Sequence, residues 1–381
     1  MYTQFVEVVL GVPFGYEFNY ELRRLLEDFR CMVNFCIDYA YGRRITSYAK
    51  LRKGVYVEWK RRWSYSTHYC HSACKIALAI LKSHRRRHGE GKPEARKLFM
   101  QLDPMLYKFY GDRIRISVKP RKFIFIDLKY GEYQKKFIDA WRDGKLKTGE
   151  ITINETKIII PFKKWVDLQN PKDWIAIDIN ESNITAVNSN PHILRIDHKL
   201  RAIHTTYFNI RRRIQKLAKH KPKTAQRLLK KYSGREKLKT RDLCHKISRI
   251  IVGFAKQHGF GILMEDLKGI RRHINKGRVL NRRLHSWNFR RLQFYIEYKA
   301  KLEGLPVIYV DPKGTSTLCP ICGGKLASNG HRLMKCQKCG YENDRDIIAC
   351  LNMLRMRGAP LPLKATHEAH KAKVERIVVK C

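Results

Sequence analysis

The sequence has few acidic residues for its length. Its 381 residues include 34 Asp and Glu against 79 Lys and Arg, which gives a formal net charge of +45. A compact chain with this excess repels itself, so we expect a polyanionic partner. The basic clusters are spread along the chain, and this spread favours extended contact with nucleic acid over a merely solvated basic surface. The clusters are residues 60–62, 85–87, 211–213, 230–231, 271–272 and 282–283.

Long hydrophobic runs are also missing. No run approaches the ~18 apolar residues of a transmembrane helix. Residues 1–10 have no basic segment and carry Glu7 within their apolar run, so we expect neither a signal peptide nor a membrane partner. The 11 cysteines are an odd number without the spacing of a disulfide scaffold. They favour a reducing interior, and we therefore expect a cytoplasmic protein.

Four of the cysteines have the spacing of a metal site. They form two CxxC pairs joined by a short, turn-rich loop, Cys319-Pro-Ile-Cys322 and Cys336-Gln-Lys-Cys339. Four thiolates bind zinc tetrahedrally, and in zinc-finger peptides the metal supplies about 10–16 kcal/mol of apparent folding free energy. The spacing predicts a structural zinc ribbon.

The cysteines nearer the amino terminus favour a different role. Cys70 and Cys74 lie one helical turn apart, as small core residues do. A second metal site is the alternative, because other metal-binding residue types lie in the same region at Cys31, Cys36, His68 and His71.

Three carboxylates stand in or after apolar segments. Asp178 and Glu265 end strand-like runs, and Asp346 follows the cysteines and leads into a helical pattern. Burying a lone carboxylate is costly unless a cation pairs with it. One interpretation is therefore that Asp178 forms an ion pair with a nearby arginine. The other is a metal centre, because three carboxylates can hold two Mg²⁺ or Mn²⁺ ions about 4 Å apart. Such a pair activates a water and stabilises the leaving 3′-oxygen of a phosphodiester.

The hydrophobic period changes twice along the chain. Residues 2–10 alternate as one strand, and residues 16–87 have a helical period. After Pro93 the period is two, and from Trp174 strands alternate with helices. We predict a multidomain α+β and α/β protein. A small antiparallel β-barrel, interrupted by a helical insertion after its first strand, precedes an α/β domain with a mixed sheet.

Together these motifs resemble the TnpB family, RuvC-like nucleases encoded by insertion sequences and similar to the ancestors of type V CRISPR effectors. The family pattern is D-x-G-x-x-N, an E-D-L strand end, T-S-x-x-C-x-x-C-G, C-x-x-C-G and D-x-D-x-N-A-A-x-N. Asn180 replaces the Gly and Ile348 replaces the first Asn of the last motif, but neither change removes a metal ligand. The matching segments are Asp178-Ile-Asn-Glu-Ser-Asn183, Glu265-Asp-Leu-Lys-Gly269, Thr315-Ser-Thr-Leu-Cys-Pro-Ile-Cys-Gly323, Cys336-Gln-Lys-Cys-Gly340 and Asp344-Arg-Asp-Ile-Ile-Ala-Cys-Leu-Asn352.

The resemblance implies a catalytic set of Asp178, Glu265 and Asp346 that binds Mg²⁺ or Mn²⁺, with Asp344 and Asp266 ranked below them. It also implies a domain order. The domains are a first wedge strand (1–15), a helical recognition insertion (16–95), a wedge β-barrel (96–168), a RuvC-like nuclease domain (169–312), a zinc ribbon (313–342) and a last RuvC-like segment (343–358). Pro360 and Pro362 predict a flexible tail over residues 359–381.

The function implied by the resemblance is that of an RNA-guided DNA endonuclease of a transposable element, in the prokaryotic cytoplasm near the nucleoid. Its expected partners are a guide RNA, with one chain per RNA favoured, and a double-stranded DNA target. The alternatives are a nuclease-silent RNA-guided repressor, a self-sufficient transposase and a zinc-ribbon RNA-binding protein. Copurified RNA would distinguish the RNA-guided nuclease and the RNA-guided repressor from the transposase. Mg²⁺-dependent cutting would distinguish the nuclease from the repressor.

Overall fold

The chain divides into two compact units, residues 7–165 and residues 166–381 together with residues 1–6. Each unit has its own buried core. The computed structural model describes residues 5–189, 192–270, 275, 277–330, 332–358 and 373–379. The basic cluster at residues 271–272 lies outside the described residues.

Three helices follow the first strand of the amino-terminal unit. They are preceded by β1 (Phe5–Tyr16) and comprise α1 (Tyr20–Gly42), α2 (Tyr48–Arg62) and α3 (Thr67–Arg86). Asn19 caps α1, because its side chain accepts a 2.8 Å hydrogen bond from the Leu22 N–H. The buried face of α1 packs against α3, so the segment with the helical period forms a helical layer.

The cysteines of this layer lie in its core. Cys36, Cys70 and Cys74 have no exposed surface, whereas Cys31 is exposed. The Sγ atoms of Cys36 and Cys74 are 3.8 Å apart. Among the described residues no group of metal ligands gathers here, so the three buried thiols serve as core residues.

The remaining strands of the unit join β1 in an eight-stranded sheet. Its order is β2-β7-β8-β1-β5-β4-β3, with β6 paired to β8. Buried and outward residues alternate along β4 and β5, as the period of two predicts. Closure of the sheet into a barrel stays a prediction. The strands are β2 (Phe99–Leu102), β3 (Tyr107–Phe109), β4 (Arg113–Lys119), β5 (Lys122–Lys129), β6 (Lys147–Thr148), β7 (Ile151–Asn154) and β8 (Lys157–Asp167).

One helix in this region was not predicted. α4 (Glu132–Arg142) lies between β5 and β6. Ile138 is buried, and Phe137 and Trp141 pack against the same core. These aromatic residues favour strands by propensity, but their spacing of three and four fits one face of a helix.

The carboxy-terminal unit is built on a six-stranded mixed sheet of order β13-β12-β9-β10-β11-β17. β10 is antiparallel to β9 and β11, and the other neighbours are parallel. A second, three-stranded sheet has the order β14-β15-β16. The strands are β9 (Asp173–Ile179), β10 (Asn183–Asn188), β11 (His192–His198), β12 (Phe260–Glu265), β13 (Val307–Val310), β14 (Leu326–Ser328), β15 (Leu333–Cys336), β16 (Glu342–Asp344) and β17 (Lys373–Val379).

Helices cover both faces of the six-stranded sheet. Ile175, Ile177 and Ile262 pack with α7 and α9, whereas Ala176 and Leu263 pack with α10. Within the described residues, no helix is both long and apolar enough to cross a membrane. The helices of the unit are α5 (Leu200–Leu217), α6 (Pro222–Tyr232), α7 (Arg235–His258), α8 (Arg278–Ser286), α9 (Phe289–Leu302) and α10 (Arg345–Met356).

Residues 373–379 form a strand in the segment that was predicted to be a flexible tail. β17 pairs in parallel with β11 along its whole length, so the prediction was wrong for residues 373–379. Val379 is buried and Ile377 packs against the core, which explains why this short valine-rich segment covers the edge of the sheet. Residues 359–372 and 380–381 lie outside the described part of the chain.

Candidate active site

Strand alternation brings Asp178 and Glu265 to the face of the sheet that α10 covers. Successive residues of a strand point to opposite faces, so residues two apart share a face. Asp178 therefore lies on the same face as Ala176, and Glu265 lies on the same face as Leu263. β9 and β12 are parallel neighbours, and both acids lie at the carboxyl ends of these strands. α10 supplies Asp346 from its first turn. The three acids therefore come from segments far apart in sequence to one edge of the sheet.

The three carboxyl groups interact electrostatically. Burial raises the pKa of Asp178 to about 8, and the neighbouring carboxyl groups of Asp346 and Glu265 add to the rise. Asn180 opposes it, because its Nδ2 donates a 2.9 Å hydrogen bond to Oδ2 of Asp178. Burial also raises the pKa of Glu265, although Oγ1 of Thr315 donates a 2.7 Å hydrogen bond to Oε1 of Glu265. A cation would offset this accumulation of like charge.

Simple ion pairing does not account for Asp178 or Glu265. Among the residues that the structure describes, neither carboxylate has a basic nitrogen within 4.0 Å. Asp346 differs, because Arg332 contacts its Oδ2 and Nη2 of Arg195 lies 3.7 Å from the same oxygen. Two partly buried acids thus remain without a counter-ion among the described residues, and their oxygen atoms are the ligands that Mg²⁺ and Mn²⁺ prefer. The donor set fits a divalent cation.

Asp346 is oriented by polar side chains of β10. It is 5% exposed, and its Oδ2 accepts a 3.2 Å hydrogen bond from Nδ2 of Asn183 and a 3.5 Å bond from Oγ1 of Thr185. Thr185 lies directly opposite Asp178 in the β9–β10 ladder. The sequence analysis included Asn183 in a family motif without giving it a role, and it did not single out Thr185. The antiparallel pairing of β9 with β10, which only the structure shows, places Thr185 beside the acids.

The two lower-ranked acids have local partners. Oδ1 of Asp344 caps α10 by accepting a 2.9 Å hydrogen bond from the Asp346 N–H, and its Oδ2 lies 3.4 Å from Arg332 and from Arg195. Asp266 accepts a 3.0 Å hydrogen bond from the Lys268 N–H, and its side chain is 36% exposed. Asp344 therefore belongs to the edge of the acid cluster, whereas Asp266 contacts its own loop.

Arg332 is a further polar residue that sequence reasoning missed. It lies just before β15, and its guanidinium contacts both Asp344 and Asp346. Partial burial lowers the pKa of Arg332, but the carboxylates of Asp346 and Asp344 raise it by more. The guanidinium therefore stays protonated. One arginine among many in a chain of charge +45 carries no sequence signal. The three-stranded pairing of β14, β15 and β16 places it beside the acids.

The four predicted zinc ligands meet at one point. One Sγ atom from each of Cys319, Cys322, Cys336 and Cys339 lies within 4.8 Å of the others, and the described residues contain no other group of three or more metal ligands this close. Backbone N–H groups of Cys339 and Lys338 lower the pKa of Cys336 to about 6, which favours the thiolate. A Cβ on Gly324 would approach two of the Sγ atoms to 3.3 Å. A four-thiolate set of this kind fits a structural zinc ion.

Hydrogen bonds connect the cysteine site to the acid site. Nδ2 of Asn352, on α10, donates to the carbonyl oxygens of Thr315 (2.7 Å) and Leu318 (2.8 Å). Thr315 in turn donates to Glu265. The loop that enters the cysteine site at Cys319 is therefore fixed to the acid-bearing elements.

The two departures from the family pattern have clear environments. The backbone of Asn180 does not have a positive φ. The turn therefore does not use the left-handed conformation that asparagine tolerates better than most residues. Its side chain instead donates to Asp178. Ile348 is completely buried and packs in the apolar core between α10 and the sheet. Ile348 therefore serves as a core residue of α10.

Two segments of the chain match described families. Residues 25–117 match the Uncharacterized protein MJ0013 family, and residues 289–353 match the family described as Cas12f1-like, TNB domain. The TnpB-like protein MJ0751 of Methanocaldococcus jannaschii is 48% identical over 258 residues, which cover 66% of this chain and 93% of that protein.

More distant similarities extend to CRISPR-associated proteins. The endodeoxyribonuclease Cas12f1 of Sulfoacidibacillus thermotolerans is 40% identical over 112 residues, 29% of this chain and 25% of that protein. The cryo-EM structure of a Cas12f1–sgRNA–target DNA complex is 14% identical with a TM-score of 0.53, covering 92% of this chain and 98% of that one. At this identity the likeness shows a shared mixed α/β multidomain fold. Because the TnpB-like protein matches over nearly its whole length, this chain belongs to the TnpB family.

Proposed function

We propose that the chain is an RNA-guided DNA endonuclease of a transposable element, which hydrolyses DNA at a two-metal, RuvC-like centre. The observation that carries this proposal is the convergence of Asp178, Glu265 and Asp346, two of which are partly buried without a counter-ion among the described residues. Such groups cluster at functional sites, because a fold maintains this repulsion only where a ligand relieves it.

The domain assignment follows from this proposal. The six-stranded sheet with its helices is the RuvC-like nuclease domain, and the three-stranded sheet with four cysteines is its inserted zinc ribbon. The helices α1 to α3 form the recognition insertion, and the eight-stranded sheet forms the wedge barrel. The element order and the likeness of fold to the Cas12f1 complex support these assignments.

Asp178, Glu265 and Asp346 would hold Mg²⁺ or Mn²⁺. These ions, when bound, supply an activated water and positive charge at the leaving 3′-oxygen. The surrounding residues position the ligands: Thr315 holds Glu265, and Asn183 and Thr185 hold Asp346. Such outer partners matter because a ligand carboxylate must keep one rotamer to accept a hard cation with strict geometry.

Arg332 would act on the substrate side of the same centre. Its guanidinium already lies beside Asp344 and Asp346, and a guanidinium can bind a phosphate through two parallel hydrogen bonds. We infer that Arg332 holds the scissile phosphate against the acids. The ribbon thus contributes an arginine, and its cysteines would bind one zinc ion that fixes the loop around it.

The net charge of +45 supports a nucleic-acid partner that is constantly present. In RNA-guided systems base pairing selects the sequence, while basic side chains bind phosphates and the shape of the duplex. The similarity to an endodeoxyribonuclease and to a complex with sgRNA and target DNA supports guide RNA and double-stranded DNA as the partners.

Plasmid cleavage tests the proposal directly. The full chain, purified with the RNA it carries, is incubated with a plasmid that contains the matching sequence, with and without added Mg²⁺. We expect site-specific cutting only with both the matching RNA and the metal, and no cutting by Asp178→Ala. Asp311→Asn is the matched control, because Asp311 is an exposed acid just after β13, the neighbour of β12.

Other outcomes would select the alternative functions. RNA-dependent DNA binding without cutting by the wild type would indicate a nuclease-silent repressor. Cutting at a fixed site whatever the RNA would indicate a self-sufficient transposase. Full activity of Asp178→Ala would exclude this acid set as the catalytic centre.

A further inference from the structure

One polar residue lies in the otherwise apolar buried face of α9. It is Gln293, which is 1% exposed. The other buried residues of the helix, which share its face, are Phe289, Leu292, Ile296 and Ala300. A leucine or a methionine at this position would pack in the same core without a polar group to satisfy. The amide of Gln293 therefore needs a reason other than packing.

The amide of Gln293 holds the main chain of Glu265. Its Nε2 donates a 2.7 Å hydrogen bond to the carbonyl oxygen of Glu265. A carbonyl oxygen can only accept, so this contact fixes which end of the amide is the nitrogen. The amide oxygen must then face the other way. Among the described residues, this Oε1 atom is buried without a hydrogen-bond partner.

The unpartnered oxygen of Gln293 opposes folding. A buried acceptor without a donor destabilises a protein, whereas an apolar side chain of similar shape does not. Features that cost stability in this way cluster at functional sites, where the surrounding structure maintains them for another purpose. The one hydrogen bond that the amide does make is to a residue of the acid site.

Glu265 is thus held from both faces of the sheet. Thr315 donates to its carboxylate on the face that α10 covers, whereas Gln293 reaches its carbonyl oxygen from α9, on the opposite face. On the side of β9 the paired register ends one residue earlier, with Ile177 opposite Met264. The amide of Gln293 therefore holds the main chain just past the paired part of β12.

The carbonyl contact has a consequence for the carboxylate. Holding the carbonyl oxygen restricts rotation of the peptide group after Glu265, and this keeps the side chain of Glu265 in one position. Mg²⁺ requires oxygen ligands at about 2.0–2.1 Å in nearly ideal octahedral geometry, whereas Ca²⁺ accepts about 2.3–2.6 Å and irregular geometry. A small displacement of Glu265 should therefore weaken the binding of Mg²⁺ more than that of Ca²⁺.

We propose that Gln293 is a positioning residue of the acid site, which holds the main chain of Glu265 so that its carboxylate meets the strict geometry of Mg²⁺. Gln293 acts through Glu265 and not on the DNA itself. This inference rests on the proposed function, and it adds α9 to the elements that set the metal preference of the site.

Metal binding by two apolar variants tests the proposal. Gln293→Met and, as a second variant, Gln293→Leu remove the amide and keep the bulk of the side chain. Calorimetric titration of the full chain with its RNA gives the affinities for Mg²⁺ and for Ca²⁺, and Asp178→Ala is the reference that subtracts binding to the RNA. We expect the Mg²⁺ affinity to fall by about 10–100-fold, the usual loss for an outer partner of a metal ligand. The Ca²⁺ affinity should fall clearly less.

Ile296→Val is the matched control on the same helix. Ile296 is completely buried and lies about one turn after Gln293 on the same face of α9. Without magnesium this variant should lower the Tm and leave both metal affinities unchanged, because it only removes a buried methylene. The Gln293 variants should keep or raise the Tm, because apolar atoms replace an unpartnered acceptor. Stability and metal binding should thus change separately at the two positions.

Two results would overturn the proposal. The first is wild-type Mg²⁺ affinity in both Gln293 variants, which would make Gln293 a core residue without influence on the acids. The second is an equal loss of affinity for Mg²⁺ and Ca²⁺, which would show that the substitution disturbs the packing of the site and not the geometry of one ligand.

Cleavage separates this inference from the proposed function. At limiting Mg²⁺ the Gln293 variants should cut slowly, and added Mg²⁺ should restore kcat with the KM for DNA unchanged. If the wild type binds Mg²⁺ at the acids but never cuts, while the variants bind it more weakly, the function fails and the inference stands. If the wild type cuts and both variants bind Mg²⁺ as it does, the inference fails and the function stands. A wild type that binds no more Mg²⁺ than Asp178→Ala would overturn both.

Discussion

The acid site and the cysteine site of this chain are assembled in opposite ways. The cysteines come from one short stretch of sequence and bring four Sγ atoms within 4.8 Å of one another. The acids come from β9, β12 and α10 and form a looser group, held by hydrogen bonds from Asn180, Thr315 and Asn183. Four thiolates suit a closed site that stabilises a fold, whereas carboxylates on separate elements suit a site that must admit substrate.

The difference in assembly leads to a difference in energetics. Zinc binding to the cysteines would add stability, because the unfolded chain has no preformed site. The acids instead oppose folding without metal, because burial and mutual repulsion raise the pKa values of Asp178 and Glu265. Removing a ligand should therefore affect stability in opposite directions at the two sites, and the predictions below test this contrast.

The largest expected effect is on cleavage by acid variants. Glu265→Ala and Asp346→Ala should each cut DNA at least a hundredfold more slowly, since losing even an outer partner of a metal ligand costs about 10–100-fold. RNA and DNA binding should be nearly unchanged, because basic residues elsewhere bind the phosphates. In magnesium-free buffer we expect the Tm of Glu265→Ala to equal or exceed that of the wild type, because one repelling carboxylate is gone. Plasmid cleavage and thermal unfolding measure these quantities.

Asp344→Ala is the internal comparison for Asp346→Ala. It removes the cap of α10, which costs about 1 kcal/mol, but its carboxylate lies at the edge of the cluster. We expect a clearly milder loss of cleavage. Equal losses in the two variants would show that the third ligand is wrongly assigned.

The cysteine site should respond in the opposite sense. Purified protein should contain about one zinc ion per chain, and Cys322→Ser should lower both the zinc content and the Tm. Cleavage should fall as a consequence, because the ribbon carries Arg332 and the Thr315 loop. Metal analysis, unfolding and cleavage are measured on the same sample. Well-folded, active wild-type protein without zinc would contradict the prediction.

The contrast also explains what the sequence could predict. The cysteine ligands could be identified because the spacing of two CxxC pairs is typical of a zinc site. Asp178 and Glu265 could be selected because each follows an apolar run, and Asp346 because of its place after the cysteines and the family resemblance. The α/β alternation indicated a mixed sheet that would gather them. The residues that contact Asp346 at this edge of the sheet could not be identified from the sequence. Thr185 and Arg332 reach Asp346 only through strand pairing that the sequence does not reveal.

The errors in the fold have a similar origin. Helix α4 was missed because its aromatic residues also suit strands, and β17 was missed because an edge strand depends on a distant partner, β11. In both cases the final structure of the segment is decided by what it packs against. Local propensity is a weak guide in such segments.

A smaller effect is expected when the hydroxyl that holds Glu265 is removed. Thr315→Val keeps the shape of the side chain but loses the 2.7 Å hydrogen bond to Glu265. We expect cleavage to slow by about 10–100-fold, the usual range for an outer partner of a metal ligand. A higher Mg²⁺ concentration should restore part of the rate. Thr315→Ser keeps the hydroxyl and should cut nearly as fast as the wild type. If serine fails as badly as valine, the side chain acts through packing.

The smallest expected effect is the pH dependence of stability without magnesium. Asp178 has a folded-state pKa of about 8 against an ordinary value of 3.8, so between these values the folded chain keeps a proton that the unfolded chain releases. Stability from this group is complete below about pH 4 and is lost as the pH rises toward 8. We therefore expect the Tm of the wild type to fall more than that of Asp178→Asn between pH 5.5 and 7.5, by several degrees at about 2–4 °C per kcal/mol.

Magnesium should reverse this loss at pH 7.5 more than at pH 5.5, because the ion competes with the proton for the same oxygen atoms. The measurements use magnesium-free buffer without a chelator, so that the cysteine site keeps its zinc. Asp178→Asn corrects for the titrating groups that do not interact with Asp178. Parallel pH profiles for the two proteins, with no selective recovery by Mg²⁺, would show that the acid site carries no such penalty and would remove the energetic contrast with the cysteine site.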